Sequence, residues 1–314
     1  MRHRATMLVV GAVVLLVGAA VFEALRTVDR SEAPDAAAPR ADTTTGDAAP
    51  SGVSGVLYLT VRSGSRCEYR AVALPLLELL AAGLLSTCRF QVSPDGDEVS
   101  ELRECPPRLG RIRVTSDPTS VRMFSGCAPA WQSRRTLTYL SNGAVVAAKD
   151  LRCLGNPGCL DVLLPRRAVA RGLALLRSGL RASSIARMAW VNPSRLAIVV
   201  RVGPRTESIV FFEDGQPANT ADHRFPLHSE IEVVSHGAEL LVGGRGRGFL
   251  SLNSEGAFGA RDRVPFADAA AVAESPDREW LALARPGQVC IYRRPDSDEP
   301  ALCFPADAQD LAWR

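Results

Sequence analysis

The chain is 314 residues long, 46% hydrophobic, 6% aromatic and 23% charged, a composition that excludes a disordered or collagen-like polymer. Its net charge is only +3, and the basic residues (all Arg except Lys149) are scattered, so a nucleic-acid footprint is excluded. The dominance of Arg, with much Ala, Gly, Pro and Val, reads as codon bias and carries no function.

Residues Ala5 to Phe22 are uncharged and rich in Val, Leu, Ala and Gly, behind Arg2 and Arg4. As a helix they rise ~27 Å, enough for a hydrocarbon core, so residues 1–25 are read as a transmembrane signal anchor. A cleaved signal peptide stays open, although the one small-x-small segment, Val17-Gly18-Ala19, lies inside the apolar run. Arg26 and Arg30 oppose Arg2 and Arg4, so flanking charge sets orientation only weakly.

The cysteines decide it. All eight, Cys67, Cys88, Cys105, Cys127, Cys153, Cys159, Cys290 and Cys303, follow the apolar run. Their even number fits disulfides in an oxidising exterior, and there is no C-x-x-C spacing for zinc. The expectation is a cell-membrane protein with a cytoplasmic N-terminus and an extracytoplasmic bulk. Residues 26–55, as in SEAPDAAAPRADTTTGDAAPSG, lack aromatic residues and apolar period and read as a disordered tether.

From Val56 to Arg314 short apolar runs alternate with turn clusters, the pattern of an all-β domain. A longer period overlies them. An apolar or aromatic residue followed by a Ser, Asn, Pro or Asp turn recurs at Gln91-Val-Ser-Pro-Asp-Gly, Trp131-Gln-Ser-Arg-Arg, Trp190-Val-Asn-Pro-Ser-Arg, Val234-Ser-His-Gly, Ala273-Glu-Ser-Pro-Asp-Arg and Trp313. Four of the five steps lie between 39 and 44 residues, the spacing of four-stranded propeller blades.

These repeats resemble the WD40-like repeats of TolB-type six-bladed β-propellers. Only 93–96 carries the full Ser-Pro-Asp-Gly; 276–278 gives Pro-Asp-Arg and 131–135 has no Pro. The resemblance implies an all-β, six-bladed β-propeller with partner binding as its role. Val56–Val61 reads as a second blade strand with no inner strand before it. Asp310–Arg314 reads as an inner strand with no blade after it, so the C-terminal strand is expected to close the ring. The repeat favours sequential disulfides: Cys67–Cys88, Cys105–Cys127 and Cys290–Cys303, each across the two outer strands of a blade, and Cys153–Cys159 closing a small loop.

A short helical insertion in blade three is predicted within 163–184. Val169, Leu173 and Leu176 share one face, and Arg166, Arg167, Arg171 and Arg177 occupy the others. It reads as a rim helix, with an anionic-surface or partner-binding helix as the alternative.

Catalytic and ligand-binding chemistry is thinly represented. Gly243-Gly-Arg-Gly-Arg-Gly248 precedes a strand-like Phe249-Leu-Ser-Leu, so it reads as a hairpin turn rather than a phosphate loop. His223, His228 and His236, near Asp222 and Glu230, match no zinc spacing. Asp95/Asp97 and Asp296/Asp298 sit in turns, where Asp serves the backbone. Trp131, Trp190, Trp280 and Trp313 read as packing between blades. No catalytic, cofactor-binding or metal residue is assigned.

The sequence thus points to a membrane-tethered extracytoplasmic binding or scaffold module for a protein or cell-wall partner. The alternative is a hydrolase- or lyase-type enzyme whose funnel would draw on Asp95, Arg135, Arg195, Glu239 and Arg278. A sensory ectodomain is disfavoured by the four residues before the apolar run.

Overall fold

The computed structural model describes residues 52–314, apart from 102–104, 106–110, 118–119, 221–224, 227–229, 234–238, 245–247, 254–257, 265–268 and 295–298. The expected anchor and the tether up to Ser51 lie outside the described residues. Among the described residues no helix is long and apolar enough to cross a membrane.

The chain opens with β1 (Gly55–Ser63), β2 (Arg66–Leu74) and β3 (Glu78–Leu85), followed by the short β4 (Phe90–Val92) and β5 (Val99–Glu101) with β6 (Arg111–Asp117) and β7 (Ser120–Ser125). Next come β8 (Cys127–Trp131), β9 (Leu137–Ser141), β10 (Ala144–Ala148) and β11 (Asp161–Leu164), then helix α1 (Arg166–Leu176). Strands β12 (Ile185–Asn192), β13 (Arg195–Gly203), β14 (Thr206–Glu213), β15 (Gln216–Thr220) and β16 (Phe225–Pro226) follow, then β17 (Glu230–Val233), β18 (Glu239–Gly244), β19 (Gly248–Asn253) and β20 (Phe258–Val264). The chain ends with β21 (Ala271–Glu274), β22 (Trp280–Arg285), β23 (Gln288–Arg293), β24 (Leu302–Pro305) and β25 (Ala308–Trp313).

Among the described residues the strands form six antiparallel sheets, each mainly four consecutive strands. The exception is the first sheet, ordered β25-β1-β2-β3, in which the last strand of the chain is innermost. The innermost strands touch in cyclic order, β25 to β4, β8, β12, β17, β21 and back to β25. Among the described residues the protein is an all-β propeller with one short α-helix.

In the fourth sheet the second and third strands are covered on both faces, so they carry unbroken apolar runs rather than alternating ones. Leu196–Val200 in β13 and Ile209–Phe212 in β14 are buried throughout. Two-residue hairpins need positive φ, and Asn142-Gly143 between β9 and β10 supplies it at 50° and 80°.

The core is a set of seams. Tyr58, Tyr69, Phe90, Val92 and Ala312 pack between the first and second sheets. Ile112, Phe124, Trp131, Leu137 and Tyr139 pack between the second and third. Leu57, Leu59, Trp280, Leu311 and Trp313 join the sixth sheet to the first.

Closure is direct. Strand β25 pairs antiparallel with β1 in the register Leu57↔Trp313 to Thr60↔Asp310. Val56 and Arg314 exchange both backbone hydrogen bonds, at 2.7 and 2.9 Å. Trp313 is fully buried and its Nε1 donates to Ser54 O at 3.0 Å.

Two placements differ from the sequence-based expectation. Helix α1 follows β11, the outermost strand of the third sheet, and packs chiefly on β14 and β15 of the fourth, so it fills a crossover between blades. Gly172 makes this approach possible, because a Cβ there would lie 2.2 Å from Phe212 Cζ. Arg171 and Arg177 are tied down as well, donating to Gln216 Oε1 and Val202 O, both at 3.0 Å.

The second difference concerns the disulfides, which join Cys67–Cys88, Cys105–Cys127, Cys153–Cys159 and Cys290–Cys303. Cys290 and Cys303 are direct cross-strand partners on β23 and β24. Cys67 on β2, however, reaches the crossover after β3, and Cys105, after β5, crosses to the first residue of β8 in the next sheet. Cys105–Cys127 therefore ties two sheets together instead of two outer strands of one.

Deleting residues 309–314 removes Leu311 and Trp313 and bares the inner edge of β1. Loss of cooperative melting is expected, and Trp313→Ala alone should cost about 3–5 kcal/mol in denaturant unfolding; an unchanged transition for both would contradict closure by this strand.

Candidate functional site

Propeller sites lie in the axial channel or on the loops at the two rims. The repeated turn at the end of each inner strand is built by the same hydrogen bonds in two blades. Ser93 Oγ donates to Asp95 Oδ1 at 2.6 Å and accepts from Glu98 N at 2.9 Å. Five positions apart in the same way, Ser275 Oγ donates to Asp277 Oδ1 and accepts from Trp280 N at 2.9 Å. The backbone repeats the pattern, with Gly96 N and Arg278 N donating to Ser93 O and Ser275 O, both at 2.9 Å. Pro presets the turn, Asp locks the Ser hydroxyl, and the hydroxyl satisfies a buried N–H of the returning strand.

Asp95, Asp97 and Asp277 are thus turn residues. The hydrogen bond from Ser275 holds the Asp277 carboxyl below the usual carboxylate range. Glu98 moves the other way: burial raises it, the Ser93 hydrogen bond and Arg135 oppose this, and Asp95 and Asp97 add to the rise.

Tryptophans on inner strands link neighbouring blades. Trp131 Nε1 donates to Ser100 Oγ at 3.0 Å, and Trp190 Nε1 donates to Thr138 Oγ1 at 2.9 Å. Each acceptor hydroxyl in turn donates to its own inner strand, Ser100 to Gln91 O and Thr138 to Ala130 O. Trp280 differs: it lies on β22, a second strand, under the Arg293 guanidinium.

Hydrogen bonds also tie the inner strands to one another. Phe90 N donates to Asp310 Oδ2 at 3.0 Å, and Arg314 Nη2 donates to Val92 O at 3.1 Å, so β25 and β4 are laced together. Gln91 Nε2 reaches Met188 O on β12 at 3.4 Å, from the second sheet to the fourth past β8. Cys105 N donates to Ile185 O, also on β12, at 3.4 Å.

The funnel residues named from sequence are dispersed. Asp95, Arg135 and Arg278 sit in separate turns. Arg195 is on β13 and bonds outward to Glu213 and Asn219 of its own sheet. The side chain of Glu239 lies outside the described residues, as do the side chains of His223, His228, His236, Asp222 and Glu230, Asp296/Asp298, and the centre of the 243–248 turn. Among the described residues no three His, Cys, Asp or Glu side chains gather as a metal site.

Sequence reasoning missed a groove of ≈290 Å³ between the third and fourth sheets. Trp190, Leu196 and Phe212 form its apolar part, Val162 its outer lip, and Gln132 and Asp214 its polar ends. Gln132 Nε2 donates to Pro193 O across the two blades at 3.0 Å. Polar and apolar groups share its lining about equally, a mixture that suits an extended polypeptide.

No family model matches the chain, and no curated protein matches it. Among solved structures it is similar to TolB from Acinetobacter baumannii, at 14% identity and a TM-score of 0.42, over 77% of this chain and 67% of that one. It is also similar to the dihydro-heme d1 dehydrogenase NirN in complex with DHE, at 14% identity and a TM-score of 0.37, over 84% of this chain and 57% of that one. At these values the likenesses add nothing to what the strand pairing itself establishes.

Ser93→Ala should cost about 1 kcal/mol by removing the acceptor of the half-buried Glu98 N–H. For Glu98 the raised pKa means that the fold prefers the protonated acid, so stability falls as pH rises through the carboxylate range. Glu98→Gln is expected to melt higher than the parent at pH 7, with the gap closing as pH drops below that range in a thermal scan series.

Proposed function

We propose that the chain is a six-bladed, membrane-tethered, extracytoplasmic propeller that acts as a binding or scaffold module for a protein or cell-envelope partner. The observation that carries this reading is the division of labour in the ring. Gln91 reaches across to β12 and Asp310 and Arg314 lace β25 to β4, whereas the seam between the third and fourth sheets holds a groove. A rigid ring presents its seams and loops for recognition.

The address rests on separate support. Four disulfides and no free cysteine among the described residues suit an oxidising compartment. The apolar run Ala5–Phe22 has the length of a membrane-spanning helix, and the Ala/Pro-rich stretch after it would hold the head away from the bilayer.

A photo-crosslinking residue at Val162 in intact cells tests the binding role, with the same probe at exposed Leu175 on α1 as control. A discrete envelope product from Val162 and none from Leu175 is expected. Equal or absent products at both positions count against the groove. Maleimide labelling of the denatured chain tests the address: no thiol should react before reduction, and eight should react after it.

A further inference from the structure

The outermost strand of the first sheet is unlike the others. Among the described residues β3 pairs only with β2, so its outer row of N–H and C=O groups faces no described strand. Its sequence, Glu-Leu-Leu-Ala-Ala-Gly-Leu-Leu, carries one charge in eight residues. Leu79, Leu80 and Leu84 are 57%, 53% and 50% exposed, and Leu76 in the preceding turn is 79% exposed.

Other outer strands carry the devices that keep edges apart. Strands β11 and β24 are four residues long, β15 contains Pro217, and β20 contains Arg261, Asp262 and Arg263. Strand β3 has none of these beyond Glu78 at its start, and its one irregularity is a register shift against β2 at Leu80. Its one glycine, Gly83, lies under the ring of Tyr69, where a Cβ would come 2.3 Å from Cε1, so an aromatic covers the weak point.

We propose that β3 is the interface for a second copy of this chain, the two strands pairing antiparallel across the sheet edge. The strand is self-complementary. Centred on Ala82, an antiparallel copy sets Leu80 opposite Leu84, Leu79 opposite Leu85 and Ala82 opposite itself. This is the isologous arrangement that closes as a two-fold dimer. It leaves small residues at the centre and leucine pairs at both ends.

Burial supports this occupant over lipid. A bilayer accepts leucines but cannot hydrogen-bond a bare strand edge, whereas a second strand satisfies both. At about 100 Å² for each whole leucine, the four exposed leucines of each copy offer on the order of 240 Å². The alanines and the strand edge bring a pair toward the ~1,200 Å² at the lower end of specific interfaces. Such a dimer is weak in dilute solution and is strengthened where the proposed membrane tether holds the N-termini on one surface.

Sedimentation velocity of the full-length chain in mild detergent, across a concentration series, tests the pairing independently of cellular address. A monomer–dimer equilibrium is expected, weakened roughly tenfold or more by Leu80→Lys with Leu84→Lys at an unchanged melting temperature. Ala82→Lys, a single exposed change, gives the same readout if the double variant folds poorly. A photo-crosslinker at Ala82 should join β3 to β3 in peptide mapping. A strictly monomeric series, a dimer indifferent to these lysines, or a crosslink from β3 to lipid or to another surface overturns the proposal.

Discussion

Pairing of β25 with β1 is the constraint on which the ring depends. Every other sheet is built mainly from consecutive strands, so its contacts close short loops. The first sheet alone takes its inner strand from the far end of the chain, where Leu57 meets Trp313. Without it the seam between the first and sixth sheets would lose Leu311 and Trp313, which pack there with Leu57 and Trp280. One strand pair therefore converts a row of sheets into a ring and removes two open edges.

Between blades, the linkage is directional and partly polar. Trp131 and Trp190 each donate to a hydroxyl on the preceding sheet, which passes a hydrogen bond on to its own inner strand. An indole buries a large apolar surface and still finds an acceptor, so a single residue fills the seam and fixes its register. Ion pairs serve the same interior: Glu101, fully buried, accepts from Ser86 N at 3.2 Å and faces Arg113 at 3.4 Å, and Arg187 pairs with buried Glu207. Buried charges of this kind fix geometry more than they add net stability.

The features legible in the sequence are those whose physics is local. The turn positions 91, 131, 190, 273 and 313 lie in or at the end of inner strands, because Ser, Pro, Asp and Asn form their bonds within six residues. Position 234 lies outside the described residues. The helix was readable from its leucine face and arginine flanks, and closure from an unpaired strand at each end. What depends on spatial neighbours was not. Nothing in Cys105 shows that its connection leaves the second sheet for β8 and β12, nor in Gln91 that it reaches Met188. The leucines of 76–84 look like core; only the outermost position of β3 turns them outward. The groove beside Trp190 is assembled from four separate segments with no common motif.

The crossings at Cys88 and Cys105 make sense once the second sheet is considered by itself. Its inner hairpin, β4 with β5, has strands of only three residues, too short to be stable alone. Disulfides bracket it: Cys88, two residues before β4, is bound to β2, and Cys105, four residues after β5, is bound to β8. Those bonds span 21 and 22 residues, and each constrains the unfolded chain by roughly 2–4 kcal/mol. Asp310, Arg314 and Tyr58 then hold the hairpin from the first sheet, and Trp131 holds it from the third. A disulfide within the outer strands of the second sheet would leave this hairpin unsecured, whereas one into each neighbour fixes both of its ends. Cys290–Cys303 can stay within its own sheet, because β22 and β23 are six residues each and fully paired.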